Sequence, residues 1–297
     1  MNIYSAISSN KWKTWFIMLF FVLIISTLTF VFSKAFDFGL SFVGIALIIS
    51  AVMSVGSFYY SDKLVLATLK ARRIDLKDNP ELFRVVENLS IGAGLPMPKI
   101  YIIDDPSPNA FATGRDPKHA VVCATTGLLN LLNKTELEGV IAHELSHVKN
   151  YDIRLMTVVA ILVGSIAIMA DIFLRSMWFG DRDSDRKGSA GAIFLIIGII
   201  LAILSPLAAT LIQLAVSRKR EFLADASGAL LTRYPQGLAS ALEKLEKDKQ
   251  PLRSANHATA HLFIEDPFQK ESLKGFLSSL FNTHPPIHER IRILKSM

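Results

Sequence analysis

Four long apolar runs limit what this chain can fold into. They cover residues 14–32, 38–60, 155–174 and 190–216, and the first two carry no charge. About 18 consecutive uncharged residues are enough to cross the hydrocarbon core of a bilayer as a helix. Hydrophobic residues make up 51% of the 297-residue sequence, which is more than an ordinary soluble domain carries. The sequence therefore predicts a mainly α membrane protein with four transmembrane helices.

Basic residues mark the ends of the first two runs. Lys11 and Lys13 precede the first run, and a basic cluster from Lys63 to Lys77 follows the second. Basic residues beside membrane spans favour the cytoplasmic side, so both ends of this predicted hairpin are expected in the cytoplasm. The charges at residues 176–189 nearly cancel and indicate no side. The net charge of +6 lies beside the apolar runs rather than in a patch with interleaved aromatics, so no nucleic-acid partner is expected.

His143, Glu144 and His147 form an HExxH motif. Residues i and i+4 share one face of a helix, so the two imidazoles can hold one metal ion. Glu144 is then expected beside the metal, where its carboxylate can take a proton from a metal-bound water. A capping box at Thr135 and Glu138 predicts the start of the helix that carries the motif.

A catalytic zinc ion needs three protein ligands and an open position for water. Glu221 is the better-placed candidate for the third ligand, with Asp225 on the same helix face as a partner that can orient a ligand imidazole. His119, beside a turn, is a weaker candidate. His257 and His261 repeat the HxxxH spacing but lack the adjacent glutamate, which favours an ordinary helix surface.

A small sheet is predicted before the metal-binding helix. Three short β-like runs, at residues 99–103, 109–113 and 119–124, are separated by strong turn signals. They predict an antiparallel sheet within an α+β, zincin-like domain. Cys123 is the only cysteine of the chain and lies in the third run, where we expect a buried thiol without chemistry. A single cysteine also excludes a thiolate-rich zinc site.

Three motifs, in this order, resemble those of the HtpX membrane metalloproteases, relatives of the prenyl-protein CAAX endopeptidases. They are HELSH at residues 143–147, SRKREFLAD at 217–225 and HPPIHER at 284–290. The resemblance implies that Glu221 is the third zinc ligand, and it maps onto His284 a donor that stabilises the charge developing during peptide attack. It also implies an edge strand that pairs with substrate, formed by Asn109, Ala110, Phe111 and Ala112.

The same resemblance implies a heat-shock-linked zinc endopeptidase of the bacterial inner membrane, with one zinc ion per chain and a cytoplasmic active site. Its expected substrates are misfolded or damaged membrane proteins and unfolded polypeptides, and its other expected partner is the lipid bilayer. The ligands His143 and Glu221 stand on either side of the last two apolar runs, so these runs must return the chain to one place. We therefore expect a transmembrane hairpin at residues 1–60, the first half of the catalytic domain at 61–154, a second hairpin at 155–216 and the second half of the catalytic domain at 217–297.

Three alternatives stay open from the sequence. A membrane scaffold or chaperone with a structural zinc ion would have a closed site and no task for Glu144. An intramembrane protease with the motif inside a span is disfavoured by charges around it, among them Glu136, Lys149 and Asp152, which are costly in lipid. The last two apolar runs could also form a re-entrant or surface-packed pair.

Overall fold

The described part of the chain is mostly helical and contains a small sheet. The computed structural model describes residues 3–36, 40–179, 218–248, 262–264 and 285–297. The helices in these ranges are α1 (Ile3–Phe36), α2 (Leu40–Thr68), α3 (Pro80–Ala93), α4 (Thr126–Leu131), α5 (Lys134–Lys149), α6 (Asp152–Phe179), α7 (Arg218–Thr232), α8 (Pro235–Lys247) and α9 (Ile287–Lys295). The strands are β1 (Arg72–Arg73), β2 (Lys99–Ile103), β3 (Ala110–Thr113) and β4 (Val121–Thr125).

The long apolar helices α1, α2 and α6 pack side by side. A buried apolar cluster joins α1 to α6 and includes Phe21 and Leu155. Large apolar side chains remain exposed on the outside of α1 and α2, as at Phe16 (61%) and Ile48 (63%). In the part of the chain that the structure describes, one segment, Val43–Thr68, is long and apolar enough to cross a membrane by length and composition.

The sheet is mixed, which corrects the antiparallel sheet expected from the sequence. Its strand order is β1-β2-β4-β3. Phe111 of β3 lies opposite Cys123 in an antiparallel pair, whereas Tyr101 of β2 lies opposite the same Cys123 in a parallel pair. The turn signals correctly predict two chain reversals, and two reversals return β4 to the direction of β2. Turn signals carry no information on which strands pair, so the insertion of β4 between β2 and β3 is not predicted by them.

Both faces of the sheet are buried. Successive side chains of a strand point to opposite sides, so each strand contributes to both faces. Val122 and Ala124 belong to the main core with residues of α3, α5 and α8. Val121 and Cys123 instead pack with the end of α2 and the start of α6. Burial raises the pKa of the Cys123 thiol, in agreement with a packing role. The sheet therefore forms a layer between the apolar helices and α5.

α5 runs through the main core and begins after a capping box. The Asn133 side chain accepts a hydrogen bond from the N–H of Glu136, and the Glu136 carboxylate accepts one from the N–H of Asn133. This corrects the expected capping pair of Thr135 and Glu138, which has the same spacing. Lys244 of α8 lies 2.6 Å from the Glu136 carboxylate. This contact selects the earlier pair, and the sequence gives no sign of it.

Local sequence signals mark both ends of α3, whereas several residues singled out in the sequence lie outside the described residues. Asn79 caps the start of α3, and Gly94 ends it in the left-handed conformation, with a φ of 68°. The fourth apolar run at 190–216 lies outside the described residues, as do His284 and the second histidine pair, His257 and His261.

Candidate metal centre

His143 and His147 lie one turn apart on α5, and both are buried. Their Nε2 atoms are 3.2 Å apart, and the two rings are nearly perpendicular, at 87°. Glu221 of α7 faces the same position. Its carboxylate oxygens lie 3.8 Å from Nε2 of His143 and 3.5 Å from Nε2 of His147. Three side chains from two helices thus converge on one buried point.

These separations fit a tetrahedral metal ion. Zinc bonds of about 2.0–2.2 Å at tetrahedral angles imply ligand atoms roughly 3.4 Å apart. The observed distances of 3.2, 3.5 and 3.8 Å lie around this value. Two imidazoles and one carboxylate are also the donor set of catalytic zinc sites, whereas structural sites use mostly thiolates. His143, His147 and Glu221 therefore fit one divalent metal ion.

Two carboxylates decide which nitrogen of each ring faces the metal position. Nδ1 of His143 lies 2.9 Å from Asp225, and Nδ1 of His147 lies 3.0 Å from Asp152. Because a carboxylate oxygen accepts hydrogen bonds, each Nδ1 donates to its carboxylate, and each Nε2 is the nitrogen that is left to bind a metal ion.

The charges around His147 favour a cation at this position. Burial favours the neutral form of His147, but the Asp152 hydrogen bond and the Glu221 charge outweigh it and raise the pKa of His147 to about 9. At His143, burial is the larger effect and the pKa of that ring is lowered. A metal ion bound between them would supply the positive charge that the acidic neighbours favour.

Arg290 of α9 binds the carboxylate of Asp225, the same carboxylate that contacts His143. Its Nε and Nη2 atoms donate to the two carboxylate oxygens of Asp225 at 2.9 and 2.7 Å, and Nη1 donates to the carbonyl of Ile264 at 3.2 Å. Burial alone would raise the pKa of Asp225, but the charge of Arg290 and the hydrogen bonds from Arg290 and His143 together outweigh it and bring that pKa to about 2. Asp225 therefore remains ionised and able to orient His143.

The close approach of α7 to α5 depends on Gly228. A Cβ atom at this position would lie 3.0 Å from the backbone nitrogen of His143. Glu221, Asp225 and Gly228 follow each other at helical spacing and share one face of α7. That face carries a candidate ligand, the partner of a second ligand and the contact that lets the two helices approach.

Glu144 is buried beside the ligand group but is not part of it. Burial raises the pKa of Glu144 to about 8, although a hydrogen bond from the backbone N–H of Ala112 opposes the shift. A carboxyl group whose pKa lies near neutral pH can both take and return a proton, as general acid–base catalysis requires.

Among the described strands, β3 lies at an edge of the sheet, as expected. On its outer side, the N–H of Ala110 donates to the Asn109 side chain at 3.0 Å, and the carbonyl of Ala110 accepts from the N–H of Ile264 at 3.0 Å. The N–H of Ala112 reaches Glu144. The strand edge thus passes directly by Glu144, and its Ala110 end is hydrogen-bonded within the chain.

Asp152 and Glu136, two of the charged residues near the motif, are buried in the structure. Asp152 is 1% exposed and Glu136 is 3% exposed. Asp152 and His147 lie on different helices, α6 and α5, and a bend of the chain between these helices brings them together. The bend is at Tyr151, which has a φ of 59°. No periodicity could have linked these two residues.

Arg290 is another site residue without a predicted role. It belongs to the HPPIHER motif, so a signal for it was present in the sequence. The weaker ligand candidate His119 is exposed and hydrogen-bonded to Asp116, not to the metal centre.

A helix-borne HExxH motif completed by a glutamate from a second helix defines the class of HExxH metallopeptidases.

Comparison with known proteins agrees with this class. Residues 76–297 match peptidase family M48. The chain is 48% identical over 294 residues to a protease HtpX homolog of Dictyoglomus turgidum, covering 99% of this chain and 94% of that protein. It is 49% identical over 294 residues to the protease HtpX homolog of Tropheryma whipplei, covering 99% and 98%. The chain belongs to peptidase family M48, among the HtpX membrane metallopeptidases.

A solved structure supports the fold independently. The crystal structure of S. mikatae Ste24p matches with a TM-score of 0.51 at 21% sequence identity. The match covers 95% of this chain and 66% of that chain. At this identity the likeness concerns the fold alone.

Proposed function

We propose that this metallopeptidase is a zinc-dependent endopeptidase that cleaves misfolded or damaged membrane proteins in quality control. The observation that carries the proposal is the convergence of His143, His147 and Glu221 on one buried point, with Glu144 beside them. The donor set suits one zinc ion per chain. A buried carboxyl group that lies beside the ligands, and is not one of them, can act as a general base in hydrolysis. A purely structural zinc site has no role for such a group.

The chain's own residues divide the chemistry among them. His143, His147 and Glu221 would hold the zinc ion, which when bound acts as a Lewis acid on the peptide carbonyl and lowers the pKa of a water. Glu144 takes a proton from the attacking water and returns it to the leaving amine. His284 offers a hydrogen bond to the charge that develops on the carbonyl oxygen.

The substrate is proposed to bind as an added strand along Asn109–Ala112. Strand addition uses backbone hydrogen bonds and depends little on side chains, which suits unfolded polypeptides of varied sequence. Because Ile264 already bonds to Ala110 and the N–H of Ala112 already donates to Glu144, an added strand must displace one of these two contacts. The Ala112 end lies next to Glu144, where a bound peptide would have to be cut.

We also infer a multi-pass protein of the bacterial inner membrane with its catalytic residues in the cytoplasm. Its four spans would be α1, α2, α6 and the apolar run at 190–216, so that two membrane hairpins alternate with the halves of the catalytic domain, at 1–60, 61–154, 155–216 and 217–297. The basic residues beside the first two runs support this orientation. The lipid bilayer is then a permanent partner, and no nucleic acid is.

Product mapping by mass spectrometry tests this function. A purified model membrane protein would be incubated with wild type, with the zinc-depleted protein, and with the depleted protein after zinc is restored. We expect cleavage products that disappear on depletion, return with zinc, and are absent with Glu144→Gln. Intact substrate in every sample, from a protein that does bind zinc, would favour the scaffold or chaperone with a structural zinc ion instead.

A further inference from the structure

A buried polar cluster connects the first apolar helix to the metal centre. Asn10, near the start of α1, is 2% exposed, and it meets Asp152 (1%) and Arg220 (6%). These residues come from α1, α6 and α7, three helices that are far apart in the sequence. Burial of an amide, a carboxylate and a guanidinium together costs free energy unless each group is hydrogen-bonded. The hydrogen bonds between these three groups are therefore needed to keep them buried.

The amide of Asn10 bridges the other two groups. Its Nδ2 donates to the carbonyl of Asn150 at 3.0 Å and to Oδ1 of Asp152 at 2.6 Å, while its Oδ1 accepts from Nη1 of Arg220 at 2.9 Å. The carbonyl and the carboxylate can only accept, and the guanidinium can only donate. One orientation of the amide therefore satisfies all three contacts, and the flipped orientation satisfies none.

Each side of this bridge leads to a metal ligand. The Oδ2 atom of Asp152 lies 3.0 Å from Nδ1 of His147. The Oδ1 atom of Asp152 accepts the hydrogen bond from Asn10. Arg220 directly precedes Glu221 in α7. A single amide thus contacts Asp152, which holds one ligand, and Arg220, which precedes a second ligand in the chain.

Asn10 also holds the bend that presents Asp152 to His147. Tyr151 adopts a φ of 59° at this bend, a conformation that costs free energy in a residue other than glycine. The carbonyl of Asn150, just before the bend, accepts from Asn10, and Lys11 lies over the Tyr151 ring at 4.4 Å. Contacts from α1 therefore stabilise the turn between α5 and α6.

We propose that Asn10 is a positioning residue of the metal centre, so that the first apolar helix is part of the catalytic unit and not only an anchor. The match to peptidase family M48 begins at residue 76, so Asn10 lies outside it. The inference rests on the proposed function in that His147 and Glu221 must be metal ligands. Removing the amide takes a donor from Asp152 and an acceptor from Arg220, and loss of such an outer partner typically weakens metal affinity by about 10- to 100-fold.

Zinc affinity of the full-length protein in detergent tests the proposal. Zinc would be titrated against a competing chelator, on folded protein isolated by size exclusion, for wild type and Asn10→Leu, in which the side chain keeps nearly the same size. Thr14→Val is the matched control, because Thr14 is equally buried one turn along α1 and its hydroxyl donates to the carbonyl of Asn10 within the helix. We expect roughly tenfold weaker zinc binding by Asn10→Leu and unchanged binding by Thr14→Val.

A double-mutant cycle with Asp152→Asn separates positioning from a general loss of stability. If Asn10 acts through Asp152, adding Asn10→Leu to Asp152→Asn should weaken zinc binding little further, since residues in one network are not additive. Fully additive losses, or wild-type affinity in Asn10→Leu, would overturn the proposal. If Asn10→Leu does not fold, Asn10→Asp takes its place, because it keeps the acceptor for Arg220 and loses both donors. A wild-type protein that binds no zinc would instead contradict the proposed function itself.

Discussion

Arg290 donates hydrogen bonds to both carboxylate oxygens of Asp225, at 2.9 and 2.7 Å. Both side chains are 2% exposed or less, and Asp225 in turn holds His143 at 2.9 Å. A planar guanidinium matches a carboxylate in two parallel hydrogen bonds, which a lysine cannot reproduce. The helix α9 therefore fixes the orientation of His143, a candidate metal ligand on α5, through one residue of α7.

Replacing Arg290 should destabilise the protein strongly. Arg290→Met leaves Asp225 as a buried carboxylate without its counter-ion, and removal of one partner from a buried pair costs about 3–5 kcal/mol. We expect a clearly lower midpoint in thermal unfolding of the detergent-purified protein. Arg292→Met is the control, because Arg292 lies on the same helix and is exposed. Equal midpoints for the two variants would show that the pair contributes little.

The cap of α5 should give stability that depends on pH. Burial alone would raise the pKa of Glu136, but hydrogen bonds from Lys244, Ser240 and the N–H of Asn133 outweigh it and lower that pKa below its ordinary range. A carboxyl group with a lowered folded-state pKa stabilises the fold above its unfolded-state pKa of about 4.3. This stabilisation is lost as the pH falls through the folded-state value.

We therefore expect Glu136→Gln to unfold at a lower temperature than wild type at pH 7, with the difference shrinking as the pH falls below about 4. Thermal unfolding across this pH range measures it. Glu138→Gln, on the next part of the same helix and only half-buried, serves as the control. A difference between wild type and Glu136→Gln that stays constant down to the lowest pH would refute the ionised capping box.

The sequence predicts those parts of the site that obey a helical or strand period. His143 with His147, and Glu221 with Asp225, are joined by i, i+4 spacing, and β3 lies between recognisable turns. Asn10, Asp152 and Arg290 escape prediction because they reach the site across helix contacts or past the bend at Tyr151. Periodicity describes the face of one element, whereas these contacts depend on how several elements pack.

The same distinction explains the errors in the fold. The turn after β2 is visible in the sequence, but the pairing of β2 with β4 depends on a strand that comes later in the chain. The cap at Asn133 is preferred over Thr135 because Lys244 and Ser240 of α8 hold Glu136. In both cases a local pattern allows two arrangements, and a distant contact selects one of them.

His284 should act on the transition state and not on the metal. We expect His284→Ala to keep its zinc and its fold, to lower kcat by roughly 10²–10³, and to leave KM nearly unchanged. Steady-state kinetics on a peptide substrate and zinc analysis of the same preparation measure this. His288→Ala is the control, since His288 is exposed on α9. Zinc loss or full activity in His284→Ala would show that this role is wrong.

Single-cysteine labelling can test the proposed topology. In a Cys123→Ser background, a cysteine at Ser184 should react with an impermeant maleimide in cells whose outer membrane is permeabilised, and one at Lys118 should not. Lys118 is exposed, so its protection would report the membrane and not burial in the fold. Lysed cells should label both positions. Protection of both positions in unlysed cells would favour a re-entrant pair over two full crossings.

Parallel measurement of zinc content and proteolysis tests the central claim most directly. Glu144→Gln leaves the ligands untouched, so it should bind one zinc ion per chain by atomic absorption while cleavage falls by about 10² or more. Glu221→Ala removes a ligand and should lose both zinc and cleavage. Equal zinc content in wild type and Glu221→Ala, or cleavage by Glu144→Gln at the wild-type rate, would contradict the assignment of this site.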